Sequence, residues 1–291
     1  MTLGAWHIFI YILYIIKILL LFGALCDIML DVKLRLLCPD KTLHKGDILI
    51  ETKIKFSDEV QSKLALEDLD YTNESLKKSY HSFYNLYAKR VIDFTLALIG
   101  LLVVWPFMLI IAVAVAVDTG FPVFYKPLRG GYKNKSFNIF KFRTMVKDAD
   151  KIGSGTTALN DSRITKVGAF LRKTKLDETA QLFNILNGSM SFIGPRPELL
   201  KYTDQYDELE KNILNVRPGI TDFSSMDFIN LDEIVGTDNV DEIYEQYVLK
   251  RKNQLRLKYV ANVSFKTDLK IFFETVFKVL KKCLKIIKGN K

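Results

Sequence analysis

Apolar and polar positions divide the 291-residue chain into distinct regimes. Residues 5–25 are almost wholly apolar, interrupted by His7 and Lys17. Residues 31–86 mix charged and apolar side chains with some helical character and no sustained period. From Phe94 to Val117, 24 residues pass without a charge. Beyond them, "FNIFKFRTM" alternates enough to predict a short strand or hairpin, and Arg129-Gly130-Gly131 reads as a turn. In "TKLDETAQLFNIL", Leu182, Phe183, Ile185 and Leu186 form a helical apolar stripe that Gly188 stops. Near the C-terminus, Leu269, Phe272, Phe273, Val276, Leu280, Leu284 and Ile287 recur at helical spacing, with lysines on the other face. That pattern predicts a basic amphipathic helix suited to an anionic membrane surface; a helix packed on the core fits its first half equally.

The two apolar runs have different implications. Residues 5–25 lack a basic stretch before them and a cleavage site after them, so they read as transmembrane or interfacial rather than as a signal peptide. The run Phe94–Val117 is long enough to cross a bilayer. Pro106 sits in its middle, where it removes a backbone hydrogen bond and crowds the preceding turn. Residues 31–90 carry 11 Lys/Arg, and the chain after Val117 is basic again, so a plain crossing would leave one basic side outside. A re-entrant helix broken near Pro106 keeps both flanks inside, and this is the reading preferred over a plain crossing.

Charge refines the picture. The net charge of +9 lies in blocks: residues 126–175 carry 13 Lys/Arg against three Asp/Glu, residues 198–249 three against 13, and residues 250–291 13 against two. The basic blocks call for anionic partners, such as lipid, nucleic acid or phosphorylated small molecules, although a solvated basic surface needs no partner. Cys26, Cys38 and Cys283 are scattered and make neither a disulfide framework nor a metal spacing. His7, His44 and His81 all precede residue 82, far from the carboxylates considered next, so no Ser-His-Asp arrangement can be read. No Walker or dinucleotide glycine motif is present.

The candidate chemistry lies at Asp177-Glu178. Thr174 and Asp177 have the form of a capping box, with Thr174 at the N-cap and Asp177 at N3, and capping alone would explain them. The same position suits catalysis. A carboxylate in a first helical turn feels the positive end of the helix dipole, which favours its ionised, nucleophilic form. Glu178 beside it offers a ligand for Mg²⁺, which takes one or two carboxylates plus phosphate oxygens. Arg172 falls just before the expected helix start. Pro195-Arg196-Pro197 fixes the backbone on both sides of Arg196 and so aims its guanidinium.

Five ordered segments then carry a resemblance: "KRVIDFTLALIGLL" with its later proline, "KFRTM", "DSRITKVGAFLRKTKLDETAQLFNILNGSMSFIGPRPE", "VRPGIT" and "SFKTDLKIFFETV". Over about residues 87–280 the chain resembles the bacterial sugar transferase family, the monotopic polyprenyl-phosphate phosphoglycosyl transferases. The resemblance implies transfer of a phospho-sugar from a nucleoside-diphosphate sugar, here a UDP-sugar, to polyprenyl (undecaprenyl) phosphate. It implies Asp177 as nucleophile, Glu178 as support for Mg²⁺, and Lys141, Arg143, Arg172, Arg196 and Arg217 near phosphates. It also implies a re-entrant helix with its break at Pro106. The chain departs from the family pattern at Trp105, commonly Ser; at Thr179-Ala180, commonly Leu-Pro; and at Asp222-Phe223-Ser224-Ser225, commonly Gly-Trp-Ala-Gln.

The expected architecture is α+β and mainly helical, a monotopic membrane protein with a small cytoplasmic catalytic domain at the bacterial inner membrane. The expected divisions are a hydrophobic segment (1–30), a charged connector (31–86), the membrane helix (87–118), the catalytic domain (119–265) and the amphipathic tail (266–291). The expected partners are the nucleotide sugar, polyprenyl phosphate, membrane lipid and other glycan-assembly enzymes, with no nucleic acid. Two rival readings are a one-step transfer with Asp177 only holding metal, and a non-catalytic scaffold or lipid-phosphate-binding protein at the membrane surface.

Overall fold

The computed structural model describes residues 56–149, 161–236 and 239–287. The segment 5–25, most of the connector and the last four residues of the tail lie outside the described residues.

The architecture is mostly helical. Helices α1 (Asp58–Leu64) and α2 (Asn73–Tyr80) precede a π-helical turn, Tyr84–Ala88, that runs into the long helix α3 (Lys89–Thr119). Four two-residue strands follow: β1 (Phe124–Tyr125), β2 (Leu128–Arg129), β3 (Phe137–Asn138) and β4 (Lys141–Phe142). Next come α4 (Lys166–Thr174), a 3₁₀ turn (Leu176–Gln181), α5 (Leu182–Asn187), β5 (Ser191–Ile193), α6 (Leu200–Thr203) and β6 (Gly219–Thr221). Short helices α7 (Phe223–Asp227), α8 (Leu231–Val235) and α9 (Val240–Ile243) lead to α10 (Leu249–Ala261) and α11 (Phe265–Ile287). The strands make three separate pairs, β1–β4 and β2–β3 antiparallel and β5–β6 parallel. The alternation in "FNIFKFRTM" therefore becomes two strands, each paired with a different upstream strand.

The stretch expected as a connector is packed from residue 56 onward. Leu76 is fully buried with Ile193, Val260 and Ile271 in one core cluster. Ser79 donates to the carbonyl of Ala261 at 2.9 Å, and Arg251 on α10 donates to Glu67 at 2.7 Å. Burying Leu76 offsets the ordering cost of α2, which is too short to hold as an isolated helix.

Helix α3 would be about 46 Å long if straight. Pro106 lies inside it and the helix continues through the proline, so the backbone does not show the break expected there. One missing N–H removes a single hydrogen bond from a run that is complete on both sides. Both ends of α3 are tied to the same body. At its start Arg90 donates to the carbonyls of Ile185 (2.5 Å) and Leu186 (2.8 Å) on α5. Toward its end Met108, Ile111 and Val115 are buried against Phe142, Leu171 and Ala180. The other side of the helix exposes Leu98, Leu102, Trp105, Leu109, Ile110 and Val117.

The tail helix is amphipathic as expected. Ile271 and Asp268 are buried on the core side, while Phe265, Leu269, Phe273 and Leu280 are exposed. Asp268 accepts from Tyr259 and Tyr84 at 2.7 Å each and from Lys89, so α11, α10 and the start of α3 meet at one buried carboxylate.

Candidate active site

The local structure around the carboxylates differs from the capping box. Thr174 does not cap the turn carrying Asp177, whose N-cap is Lys175 with no side-chain cap; the capped helix is the preceding one, α4, where Thr165 accepts from the Gly168 N–H at 2.9 Å. Thr174 is the last residue of that helix, and its hydroxyl donates back to the carbonyl of Phe170 at 2.8 Å. Arg172 accordingly sits in the last turn of α4 rather than before a helix start. Lys175 then adopts the left-handed conformation (φ 61°) and turns the chain, so Asp177 and Glu178 fall on the 3₁₀ turn that leads into α5. Gly168 allows α4 to approach this closely: a Cβ there would lie 1.9 Å from the carbonyl oxygen of Thr144.

The turn is held from several sides. Ala180 is fully buried in the cluster with Met108, Ile111 and Val115, so α3 forms the floor beneath the dyad. Asn184 on α5 donates to the carbonyl of Asn138 and accepts from the Phe140 N–H, both at 2.8 Å, which fixes the strands carrying Lys141. At the other end of α5, Gly188 takes a left-handed conformation (φ 86°) as its stop. The carbonyls there are satisfied by Arg90 and by Arg217, which donates to Gly188 at 3.3 Å.

Glu178 is the centre of an ion cluster. Arg196 grips both its oxygens, through Nη2 to Oε1 and Nη1 to Oε2 (3.2 Å), and Lys141 donates to Oε1 at 3.1 Å. Burial alone would raise its pKa, but Arg196, Lys141 and Lys175 overcome that and hold the carboxyl well below the usual carboxylate range. Asp177 behaves in the opposite way. It is buried, its Oδ1 has no hydrogen-bond partner, and burial together with the Glu178 charge raises its pKa against the pull of Lys141, Lys175 and Arg172. The expectation that a helix dipole favours its ionised form is therefore corrected: no α-helix starts at Asp177, and desolvation dominates.

Among the expected phosphate-binding residues, the structure brings Lys141, Arg172 and Arg196 to the dyad. It places Arg143 elsewhere, donating to the carbonyl of Thr119 at the C-terminal end of α3 (3.3 Å). Arg217 also lies away from the dyad, at the end of α5 with its guanidinium 4.9 Å from the centre of the Tyr132 ring. Both sit where cations complement helix C-termini.

Three residues of the site were not singled out by sequence. Lys175 acts on both carboxylates. Gln181, fully buried one turn after Asp177, leaves both amide atoms without partners. Glu198 anchors the arginine turn: it accepts from Tyr244, from Arg256 and from Lys252 (3.2 Å), while its carbonyl accepts from the Gly130 N–H at 3.0 Å. The only sequence signal for Glu198 was its place directly after Pro197.

The acceptor geometry admits a divalent cation. A carboxylate offers about four lone-pair sites. Three contacts occupy Glu178, leaving one position on Oε2, and Asp177 Oδ1 is unpartnered. Two carboxylate oxygens completed by substrate phosphate oxygens are what Mg²⁺ commonly takes. Among the described residues no cluster of three or more His, Cys, Asp or Glu makes a closed metal cage.

The bacterial sugar transferase family matches residues 84–282, which include every residue of this site. The chain belongs to the bacterial sugar transferase family. Within that family it is 36% identical over 204 residues to the UDP-glucose:undecaprenyl-phosphate glucose-1-phosphate transferase of Xanthomonas campestris pv. campestris, covering 68% of this chain and 40% of the relative. It is 36% identical over 192 residues to the uncharacterized sugar transferase EpsL of Bacillus subtilis (strain 168), covering 66% of this chain and 87% of that relative. It is 31% identical over 221 residues to the galactosyl transferase CpsE of Streptococcus agalactiae serotype III, covering 72% of this chain and 46% of the relative. The chain thus spans less than half the length of two of these relatives, whose names differ in sugar.

Proposed function

We propose that this sugar transferase moves a phospho-sugar from a nucleoside-diphosphate sugar, a UDP-sugar, to polyprenyl phosphate in two steps. A carboxylate oxygen of Asp177 attacks the sugar-bearing phosphorus, and the bond to the departing nucleoside monophosphate breaks. An oxygen of polyprenyl phosphate then attacks the same phosphorus, the bond to Asp177 breaks, and the carboxylate is regenerated with polyprenyl-diphosphate-sugar as product. The observation that carries this reading is the contrast within the dyad: Glu178 is locked by Arg196 and Lys141, while Asp177 is buried with an oxygen unpartnered. A poorly solvated carboxylate is a stronger nucleophile, and its cationic neighbours suit the negative charge of the incoming phosphates. Mg²⁺ held by Glu178 Oε2 and Asp177 would add positive charge at the diphosphate oxygens.

The membrane reading follows from α3. An apolar helix packed on the catalytic body near both ends, with its outer side exposed, suits embedding in the membrane with the catalytic residues at the cytoplasmic face of the inner membrane; a return within one leaflet would need the helix to bend at Pro106 in the bilayer. A scaffold would need the apolar face but not two adjacent, largely buried carboxylates set among cations.

The test is nucleoside monophosphate release by the purified protein in detergent, with polyprenyl phosphate, Mg²⁺ and a panel of nucleotide sugars. Release that requires the lipid and is lost in Asp177→Asn is the expected result. Asp177→Asn retaining most of the turnover would refute the covalent route, and a chelator without effect would refute the metal.

A further inference from the structure

We infer that Arg129, on the turn facing Pro195-Arg196-Pro197, is the cation that binds the phosphate of the departing nucleoside monophosphate. The inference rests on the phosphosugar-transfer reading and adds a donor-binding residue to it. Arg196 is the phosphate-binding arginine expected from sequence, yet its guanidinium is already committed, gripping Glu178 and donating to the carbonyl of Ile220 at 2.7 Å. Arg129 is in the opposite state. Its Nη1 is buried with no hydrogen-bond partner among the described residues, while the side chain as a whole is half-buried. A half-buried guanidinium whose Nη1 is cut off from water without a partner is costly, and an incoming anion would relieve that cost. The nearby carboxylate, Glu198, is already shared by Tyr244, Lys252 and Arg256. Burial disfavours the charge on Arg129, Glu198 opposes that effect, and Arg196 adds to it.

The location suits the soluble substrate. Gly130, next to Arg129, lines a small cleft with Arg196 and Pro197, and its N–H bonds the carbonyl of Glu198. The floor of that cleft, Tyr206, Ile213 and Val216, belongs to the core cluster away from α3. The membrane helix approaches the dyad from the other side, through Ala180. Arg129 lies near enough to Arg196 for their charges to oppose each other, and Arg196 holds Glu178, so a diphosphate that reaches from the dyad past Arg196 would meet Arg129 with its second phosphate.

The experiment uses the full chain in detergent micelles with inorganic pyrophosphate as probe, and compares Arg129→Met and Arg129→Lys with wild type by calorimetry. A charged hydrogen bond of this kind is worth about 10- to 100-fold in affinity. Arg129→Met is expected to weaken pyrophosphate by that factor, with Arg129→Lys partly restoring it. Its melting temperature should stay level or rise, because a half-buried charge with an unpartnered Nη1 is removed. In turnover, the KM for nucleotide sugar should rise by a similar factor while that for a short-chain polyprenyl phosphate stays unchanged. Unaltered pyrophosphate binding would overturn the inference. So would a fall of several degrees in melting temperature, which marks a structural role, or a rise confined to the lipid KM, which assigns Arg129 to the acceptor. If wild type transfers no sugar from any donor, the transfer reading falls, and pyrophosphate binding still decides the role of Arg129.

Discussion

At Asp177 the proposed nucleophilic role and stability pull in opposite directions. Its carboxyl titrates above the usual aspartate range because it is buried beside Glu178, so the fold favours its neutral form. Asp177→Asn should therefore raise the melting temperature while removing transfer, a trade common at active sites. The gain is full above the folded pKa and shrinks as pH falls toward about 4, where the unfolded carboxyl also protonates. Thermal unfolding of both proteins at two pH values measures it, and a variant less stable than wild type at neutral pH would contradict this account. Activity carries the same signature. Transfer should fall as pH drops through the raised pKa of Asp177, whereas Glu178 stays ionised. Lys141 lowers the Asp177 pKa, so Lys141→Met should move the acid limb of kcat/KM to higher pH. A limb that stays in place or moves down would show that another group controls it.

At the scale of elements, the site is an assembly of short pieces fixed by their neighbours. The 3₁₀ turn holding the dyad is only six residues long, from Leu176 to Gln181, and depends on α3 below it and α4 before it. Helix α2 plays a comparable part for the rest of the core, since its Leu76 is fully buried among Ile193, Val260 and Ile271. Leu76→Ala should cost about 2–5 kcal/mol, read from denaturant or thermal unfolding. A cost below about 0.5 kcal/mol, the range of ordinary surface substitutions, would mean that residues 56–86 are a connector after all.

For the whole molecule, the decisive question is how the protein meets a bilayer. Val91 and Val117 lie near opposite ends of α3 and are both exposed. If α3 bends at Pro106 in the bilayer and returns within one leaflet, cysteines placed at these two positions, in a background without the native three, should react with an impermeant reagent from the same side of membrane vesicles. Labelling from opposite sides would establish a full crossing instead. The exposed apolar face of α11 would lie along the same surface, with its lysines toward lipid phosphates.

Helix content, the apolar run Phe94–Val117, the Gly188 stop, the amphipathic tail and the Asp177-Glu178 pair could all be read along the chain, because each rests on local periodicity or on a few adjacent residues. The capping box at Thr174 was a false local signal. Thr174 instead ends the preceding helix, and Lys175 in the left-handed conformation starts the dyad turn with no side-chain cap. The partners of each arginine were likewise outside the reach of sequence. Arg143, Arg196 and Arg217 look alike in their motifs, yet one meets the end of α3, one grips Glu178 and one meets the end of α5. Sequence determined which charges the protein carries; burial and long-range packing decided which of them are paired, which are left open, and hence how Asp177 differs from Glu178. The reason is that desolvation and Coulomb interactions depend on distances that the order of residues does not contain.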